Sequence, residues 1–166
     1  MTHASDGDWY YQQIELGFNY RMTELQAALG ASQMVRLYNY VIRRHHLARR
    51  YDKLLGALAV TIPWQHPDGY SGLHLYVIRL QLGKISWSHR EAFDSLRKLG
   101  IGCNLHCIPV HTQPYYQLMG FKAGDFPEAE SYYTDAISLP IYSSLTEEQQ
   151  DHVITALRSI FLSQLT

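Results

Sequence analysis

Two short stretches hold most of the residues able to do chemistry. The first is Gly17-Phe18-Asn19-Tyr20-Arg21-Met22, set directly before Thr23-Glu24-Leu25-Gln26. An amide, a guanidinium and free backbone N–H groups at a helix entry suit an anionic ligand, a phosphate or a carboxylate. The plainer alternative has Tyr20 or Met22 stapling the first helical turn and Arg21 on the surface. The second stretch runs from Gly100 to Tyr116 and carries Asn104, His106, His111, Tyr115 and Tyr116 around Pro109 and Pro114. Two histidines five apart beside an amide and phenols could hold a polar ligand or move protons. A strand end with histidines satisfied by backbone is the plainer alternative here.

Cys103 and Cys107 lie in the same stretch. On a strand, residues four apart face the same way and stand about 13 Å from each other, too far to bridge. Free thiols in a reducing cytoplasm follow. A zinc site from Cys103, His106, Cys107 and His111 lacks a second Cys/His pair at structural-zinc spacing, so no metal is expected. A hydrolase using Cys107 and His111 lacks any sign of an activated thiolate or an oxyanion hole.

The elements that must position these groups can be read in order. Thr23 and Gln26 make a capping-box signal. Leu25, Ala28, Leu29 and Ser32, and then Met34, Leu37, Tyr38, Val41, His45, Ala48, Tyr51, Leu55 and Leu58, keep helical spacing, with a bend or offset expected at Gly30. Pro63 to Gly69 reads as a loop, and Leu73 to Leu82 as a strand covered on both faces. Ser88 with Glu91 caps a helix closed by Gly100. Ile101 to Ile108 reads as a second strand, and small helices follow at Tyr115 to Met119 and Pro127 to Tyr133. Ala136 to Leu139 is a third strand stopped by Pro140, and Thr146 with Gln149 opens a closing helix. The expectation is an α+β fold, a small sheet of about three strands covered by helices.

Composition bounds the rest. The chain has 166 residues, 46% hydrophobic, with formal net charge −1, enough for one core and no basic field for nucleic acid. Arg43-Arg44-His45-His46 and Arg49-Arg50 spread around a helix as a solvated face. No apolar run is long enough to span a membrane, and the start lacks a basic segment followed by an apolar one, so a cytoplasmic protein is expected.

The run Glu15-Leu16-Gly17-Phe18-Asn19-Tyr20-Arg21-Met22-Thr23-Glu24-Leu25-Gln26-Ala27-Ala28-Leu29-Gly30 resembles the pyridoxal-phosphate (PLP) dependent sugar aminotransferases of the DegT/DnrJ/EryC1/StrS family. These transfer an amino group onto keto sugars attached to nucleotides. The Gly100–Tyr116 stretch, with Gly120-Phe121, Gly124 to Glu130, Tyr132-Tyr133 and Ala136 to Pro140, is most similar to one branch. That branch holds the C4 aminotransferases of pseudaminic acid synthesis, which act on a UDP-linked 4-keto-6-deoxy-N-acetyl hexose. Cys107 stands where the family often has a tyrosine, which removes a phenol from the expected substrate contacts.

The resemblance implies the C-terminal domain of the fold type I aminotransferase architecture, an α+β domain whose small antiparallel sheet of about three strands is covered by helices and entered from a long helix. Residues 1–22 would be a remnant of the large domain with a cofactor-contacting loop, and residues 23–166 the small domain with its long connecting helix. Asn19 would reach the PLP phosphate of the neighbouring subunit of a homodimer, with Arg21 in or near the same composite site. Tyr20, His106, His111 and Tyr115, placed by loop position, would line the nucleotide-sugar entrance, and glutamate would be the amino donor. The family's lysine motif is not found: Lys53 and Lys98 read as helix surface, Lys84 as a turn and Lys122 as a loop. PLP chemistry needs a lysine for its Schiff base, so the chain reads as a C-terminal fragment without turnover of its own and with no catalytic residue. Trp9, Tyr10, Tyr11 and the helix face from Leu25 would then be uncovered apolar surface. The competing reading is a non-catalytic binding or interaction domain derived from such an enzyme, and the upstream genomic sequence separates the two.

Overall fold

The computed structural model describes Phe18 and residues 20–162. Asn19, Trp9, Tyr10 and Tyr11 lie outside the described residues. Contacts divide the chain into two compact units, Met1–Leu37 and Tyr38–Thr166.

Helix α1, Glu24–Leu55, belongs to both units. Its start is built as the sequence indicates: the Thr23 N–H donates to Gln26 Oε1 at 3.0 Å and the Gln26 N–H to Thr23 Oγ1 at 3.3 Å, so two N–H groups at the helix entry are satisfied. The helix runs through Gly30 without a break. In the first unit residues 20–37 are all exposed, Leu25 at 85% and Leu29 at 63% among them. In the second unit the same helix buries Leu47, Ala48, Tyr51 and Leu55. The apolar stripe therefore extends over the whole helix, but it is covered only toward the C-terminal end.

The sheet has four strands, β1 Val60–Thr61, β2 Tyr76–Leu80, β3 Asn104–Leu105 and β4 Ala136–Leu139, antiparallel in the order β1-β2-β4-β3. The extra strand relative to expectation is β1, whose Val60 and Thr61 pair with Leu80 and Arg79. The first expected strand shortens from 73–82 to 76–80, because Leu73 turns into the left-handed region at φ 45 and Leu82–Lys84 coils into a 3-10 turn. The second shortens from 101–108 to two residues. Cys103 is wholly buried and Cys107 exposed, both as free thiols. They do not share a strand face, since the strand between them is too short to carry the alternation.

Alternation along β2 and β4 puts Tyr76, Ile78, Leu80, Ile137 and Leu139 into one core. That face is covered by α1, by α2 (His89–Lys98) through Ala92 and Leu96, and by α5 (Glu147–Leu162) through Val153, Ile154, Leu157 and Ile160. Ser88 and Glu91 form the expected capping box on α2, and Gly100 ends it at φ 80, a conformation that suits glycine. On the opposite face Arg79 meets α4 (Pro127–Tyr133) through Ser131 and Tyr132. A short α3, Pro114–Gln117, precedes it.

Leu47→Ala and Leu29→Ala test the two halves of one helix. The first should cost about 2–5 kcal/mol, as a core truncation does, while the second should stay within about 0.5 kcal/mol. Urea denaturation of the chain measures both, and equal costs would contradict the burial described.

Candidate functional site

In the first unit, the rings of Phe18 and Tyr20 stack with centroids 5.6 Å apart. Both are open to solvent, at 86% and 92%, and Arg21 beside them is exposed. This is a mobile-length side chain and two aromatic faces at the entry of a capped helix, a surface available to a ligand or a neighbouring chain.

In the second unit the candidate residues sit after the edge strand β3. Asn104 and Leu105 pair with Ser138 and Ile137 of β4, and that pairing delivers His106 to the side of the sheet where α4 lies. The His106 ring meets Tyr132 edge-on at 5.4 Å. The Arg79 guanidinium stands 5.4 Å from the same Tyr132 ring and is forked onto Asp135, Nε to Oδ1 at 2.8 Å and Nη2 to Oδ2 at 2.9 Å. The Asp135 carboxylate favours the charged guanidinium and raises its pKa further, while burial raises that of the Tyr132 phenol.

His111 goes elsewhere. Pro109 turns the chain into a 3-10 turn, Val110–Thr112, which buries the imidazole. Nε2–H of His111 donates to Glu130 Oε1 at 2.7 Å, and the Gly124 N–H donates to the same oxygen at 2.7 Å. The His111 hydrogen bond first, and the Gly124 one next, hold the Glu130 carboxyl below its ordinary range. Phe126 lies 4.8 Å from the imidazole and 6.1 Å from Phe121. Val110, His111, Tyr116, Phe121, Phe126 and Ala129 line an apolar cavity of about 390 Å³. Tyr115 sits edge-on to Tyr116 at 5.3 Å and is exposed.

The structure thus brings His111 together with Tyr116, Phe126 and Glu130, leaves Tyr115 at the surface nearby, and gives His106 a different partner. Glu130, Tyr132 and Arg79 are the residues that residue-type reasoning passed over. The signal for Glu130 was an acid one helical turn beyond Pro127. Among the described residues no group of three or more His, Cys, Asp or Glu is placed to hold a metal, and no hydrogen bond joins Cys107 to His111. The zinc set Cys103, His106, Cys107 and His111 is not assembled. No helix among the described residues is long and apolar enough to cross a membrane.

Comparison with known proteins gives one consistent result. The model of the DegT/DnrJ/EryC1/StrS aminotransferase family matches residues 2–158. The spore coat polysaccharide biosynthesis protein SpsC of Bacillus subtilis is 39% identical over 161 residues, covering 95% of this chain and 41% of SpsC. Spr1654 of Streptococcus pneumoniae in its apo-form superposes with TM-score 0.82 at 26% identity, over 98% of this chain and 41% of that one. It has also been solved in PLP and PMP forms. Helicobacter pylori PseC, an aminotransferase involved in the biosynthesis of pseudoaminic acid, superposes with TM-score 0.80 at 26% identity, over 96% of this chain and 43% of PseC. The chain spans about two fifths of the length of these relatives.

The Glu130 contact has a pH signature. Its folded pKa is depressed below the ordinary 4.5, so its contribution to stability is complete above that value and is lost as pH falls through the lowered folded value. The stability gap between the wild-type chain and Glu130→Gln should be level near neutral pH and close below about pH 4.5. Denaturation at stepped pH measures it. A gap that does not change with pH would mean that the carboxylate charge contributes nothing.

Proposed function

The chain belongs to the DegT/DnrJ/EryC1/StrS aminotransferase family, and from that premise we propose that it is the C-terminal part of a PLP-dependent sugar aminotransferase. Its fold is the small-sheet fold of the fold type I aminotransferases. The observation that carries the proposal is the near full-length family match, which includes both the Gly17–Met22 loop and the His106–His111 region. As substrate we propose a UDP-linked 4-keto-6-deoxy sugar aminated at C4 from glutamate, in pseudaminic acid or related surface-glycan synthesis. The likeness to PseC and to a polysaccharide biosynthesis protein supports that choice. The parent works as a homodimer in the cytoplasm, a compartment that the free thiols of Cys103 and Cys107 suit.

The residues present do not by themselves make a PLP site. All four lysines, Lys53, Lys84, Lys98 and Lys122, are exposed. Lys84 shares an open groove with Asp135, but that carboxylate is already held by Arg79. The reacting lysine and its acid therefore belong to a part of the parent outside this sequence. Residues 1–22 contribute the end of the large domain and residues 23–166 the small domain with its connecting helix. Asn19 and Arg21 supply hydrogen-bond donors to the PLP phosphate across the dimer, and Tyr20, His106, His111 and Tyr115 shape the sugar-nucleotide entrance. The exposure of all four lysines also favours a second reading, a non-catalytic binding or interaction domain of the same ancestry. An in-frame upstream large domain with its lysine selects the first reading.

Mixed with PLP and then borohydride, the chain should acquire no stable adduct on a single lysine and should move no amino group from glutamate. One specific adduct with amino transfer would overturn the division of labour. In the full-length parent, Asn19→Ala should remove a hydrogen bond to phosphate worth roughly 1.5–3 kcal/mol and weaken PLP retention by about ten- to a hundredfold. Mixing that variant with a subunit lacking the reacting lysine should restore activity, because one site of each mixed dimer then carries neither defect. Mixed dimers that form and stay inactive would place Asn19 within its own subunit's site.

A further inference from the structure

Between the C-terminal half of α1 and the loop from Pro63 to Leu73 lies a second cavity, about 280 Å³, walled by His45, Arg49, Asp52, Gln65, Leu73 and Tyr76 among others. Its charges are unusual. Arg49 and Asp52 stand three apart on a helix, a spacing at which opposite charges commonly pair, and both line the cavity. Among the described residues no contact joins them: Asp52 Oδ1 accepts the Tyr76 hydroxyl at 2.6 Å, and the Arg49 guanidinium has no polar partner. Burial, and next the Asp52 hydrogen bond, push the Tyr76 phenol up, so it remains a donor to Asp52 and leaves the second carboxylate oxygen free.

The wall facing these charges is held in a costly conformation. Leu73 is buried and adopts φ 45, where a branched side chain is rarely found. Its N–H donates to Ser71 Oγ at 3.1 Å, and its carbonyl accepts from Arg44 Nη1 at 3.4 Å. The Arg44 Nε is buried without a partner. His45 fastens the same loop: Nε2–H donates to the Ser71 carbonyl at 2.8 Å, and the ring stacks on Tyr70 at 4.4 Å. Loop and helix are thus clamped together around a space that no side chain fills, with an unpaired cation and a half-used carboxylate on one rim and Leu73 on the other.

We propose that this cavity binds a small zwitterionic α-amino acid with an apolar side chain. The ligand carboxylate pairs with Arg49, the ammonium with the free oxygen of Asp52, and the side chain packs on Leu73. A simple anion or cation would use one of the two charges, whereas a zwitterion bridges the gap that keeps them apart. The volume lies just under the range for drug-sized ligands, which suits a single amino acid. Such a site uses neither the opening loop nor the His111 cluster and stands whether or not the transaminase reading holds.

Nuclear magnetic resonance titration of the whole chain tests this with L-leucine, 4-methylpentanoate (no ammonium) and 3-methylbutylamine (no carboxylate). Leucine should give saturable amide shifts confined to residues 45–52 and 63–76, with an affinity about tenfold or more above either analogue. Arg49→Gln, at an exposed position, should abolish the preference over the amine. Asp52→Asn, which can still accept from Tyr76, should abolish the preference over the acid. Both variants should keep the dispersed spectrum of the folded chain. Absence of saturable shifts at millimolar leucine, shifts centred elsewhere, equal affinity for all three compounds, or unchanged binding in a folded Arg49→Gln chain would each overturn the proposal.

Discussion

The side-chain amide of Gln150 is wholly buried between two helices, and the second unit is arranged about it. Its Nε2–H donates to the Leu47 carbonyl at 2.8 Å, and its Oε1 accepts from Arg50 Nη1 at 3.3 Å. A buried amide left unpaired is costly, so α5 and α1 satisfy it in one register rather than a family of them. Neighbouring contacts repeat that register: Arg50 reaches Asp151 at 2.7 Å, Arg43 reaches the Leu145 carbonyl at 2.8 Å, and the Tyr51 hydroxyl reaches the Pro140 carbonyl at 3.0 Å. The sheet needs this fixed roof. Its longest strand is five residues and two of its strands are two residues long, too little ladder to persist without a packed face.

Whatever was local in cause was legible in the sequence. Thr23 with Gln26, Ser88 with Glu91 and Thr146 with Gln149 each cap the helix they mark, and Pro127 begins α4 where it stands. A cap is made by side chains three residues apart, so residue types suffice to find it. The central pair β2 and β4 was legible as well, because covered strands are apolar at nearly every position. The edges were not. Val60–Thr61 and Asn104–Leu105 are strands because Leu80 and Ser138 lie beside them, and no local pattern states that. Cys103 and Cys107 took different environments for the same reason, since a strand face exists only where a partner continues the ladder.

The candidate site divides along the same line. His106 and His111 attract notice together because they are close in sequence, but their partners Tyr132 and Glu130 are 26 and 19 residues further on. Both partners sit on α4, at positions that place them on different sides of a helix turn. The stretch between the histidines is therefore pulled two ways, one imidazole against an aromatic face and the other into a carboxylate. Residue types announced that something polar would happen here. They could not announce which acid would be spent on which ring, because that depends on how far Pro109 turns the chain.

That division bears on what each group has left to offer. Glu130 Oε1 already accepts from the His111 imidazole and the Gly124 N–H, so the His111 Nε2 proton is committed to holding the 3-10 turn against α4. A ring so fixed contributes shape and one remaining nitrogen. His106 is held by its ring contact to Tyr132, makes no polar side-chain contact among the described residues and keeps more of its donor and acceptor capacity, and Tyr115 stands exposed beside Tyr116. In the proposed enzyme, His106 and Tyr115 would be freer than His111 to make polar contacts to a sugar nucleotide. The His111–Glu130 contact ties the turn that precedes Tyr115 to α4. The rings of Tyr116, Phe121 and Phe126 follow one another along this loop at centroid distances of 6.5 and 6.1 Å and give the His111 side of it an apolar lining.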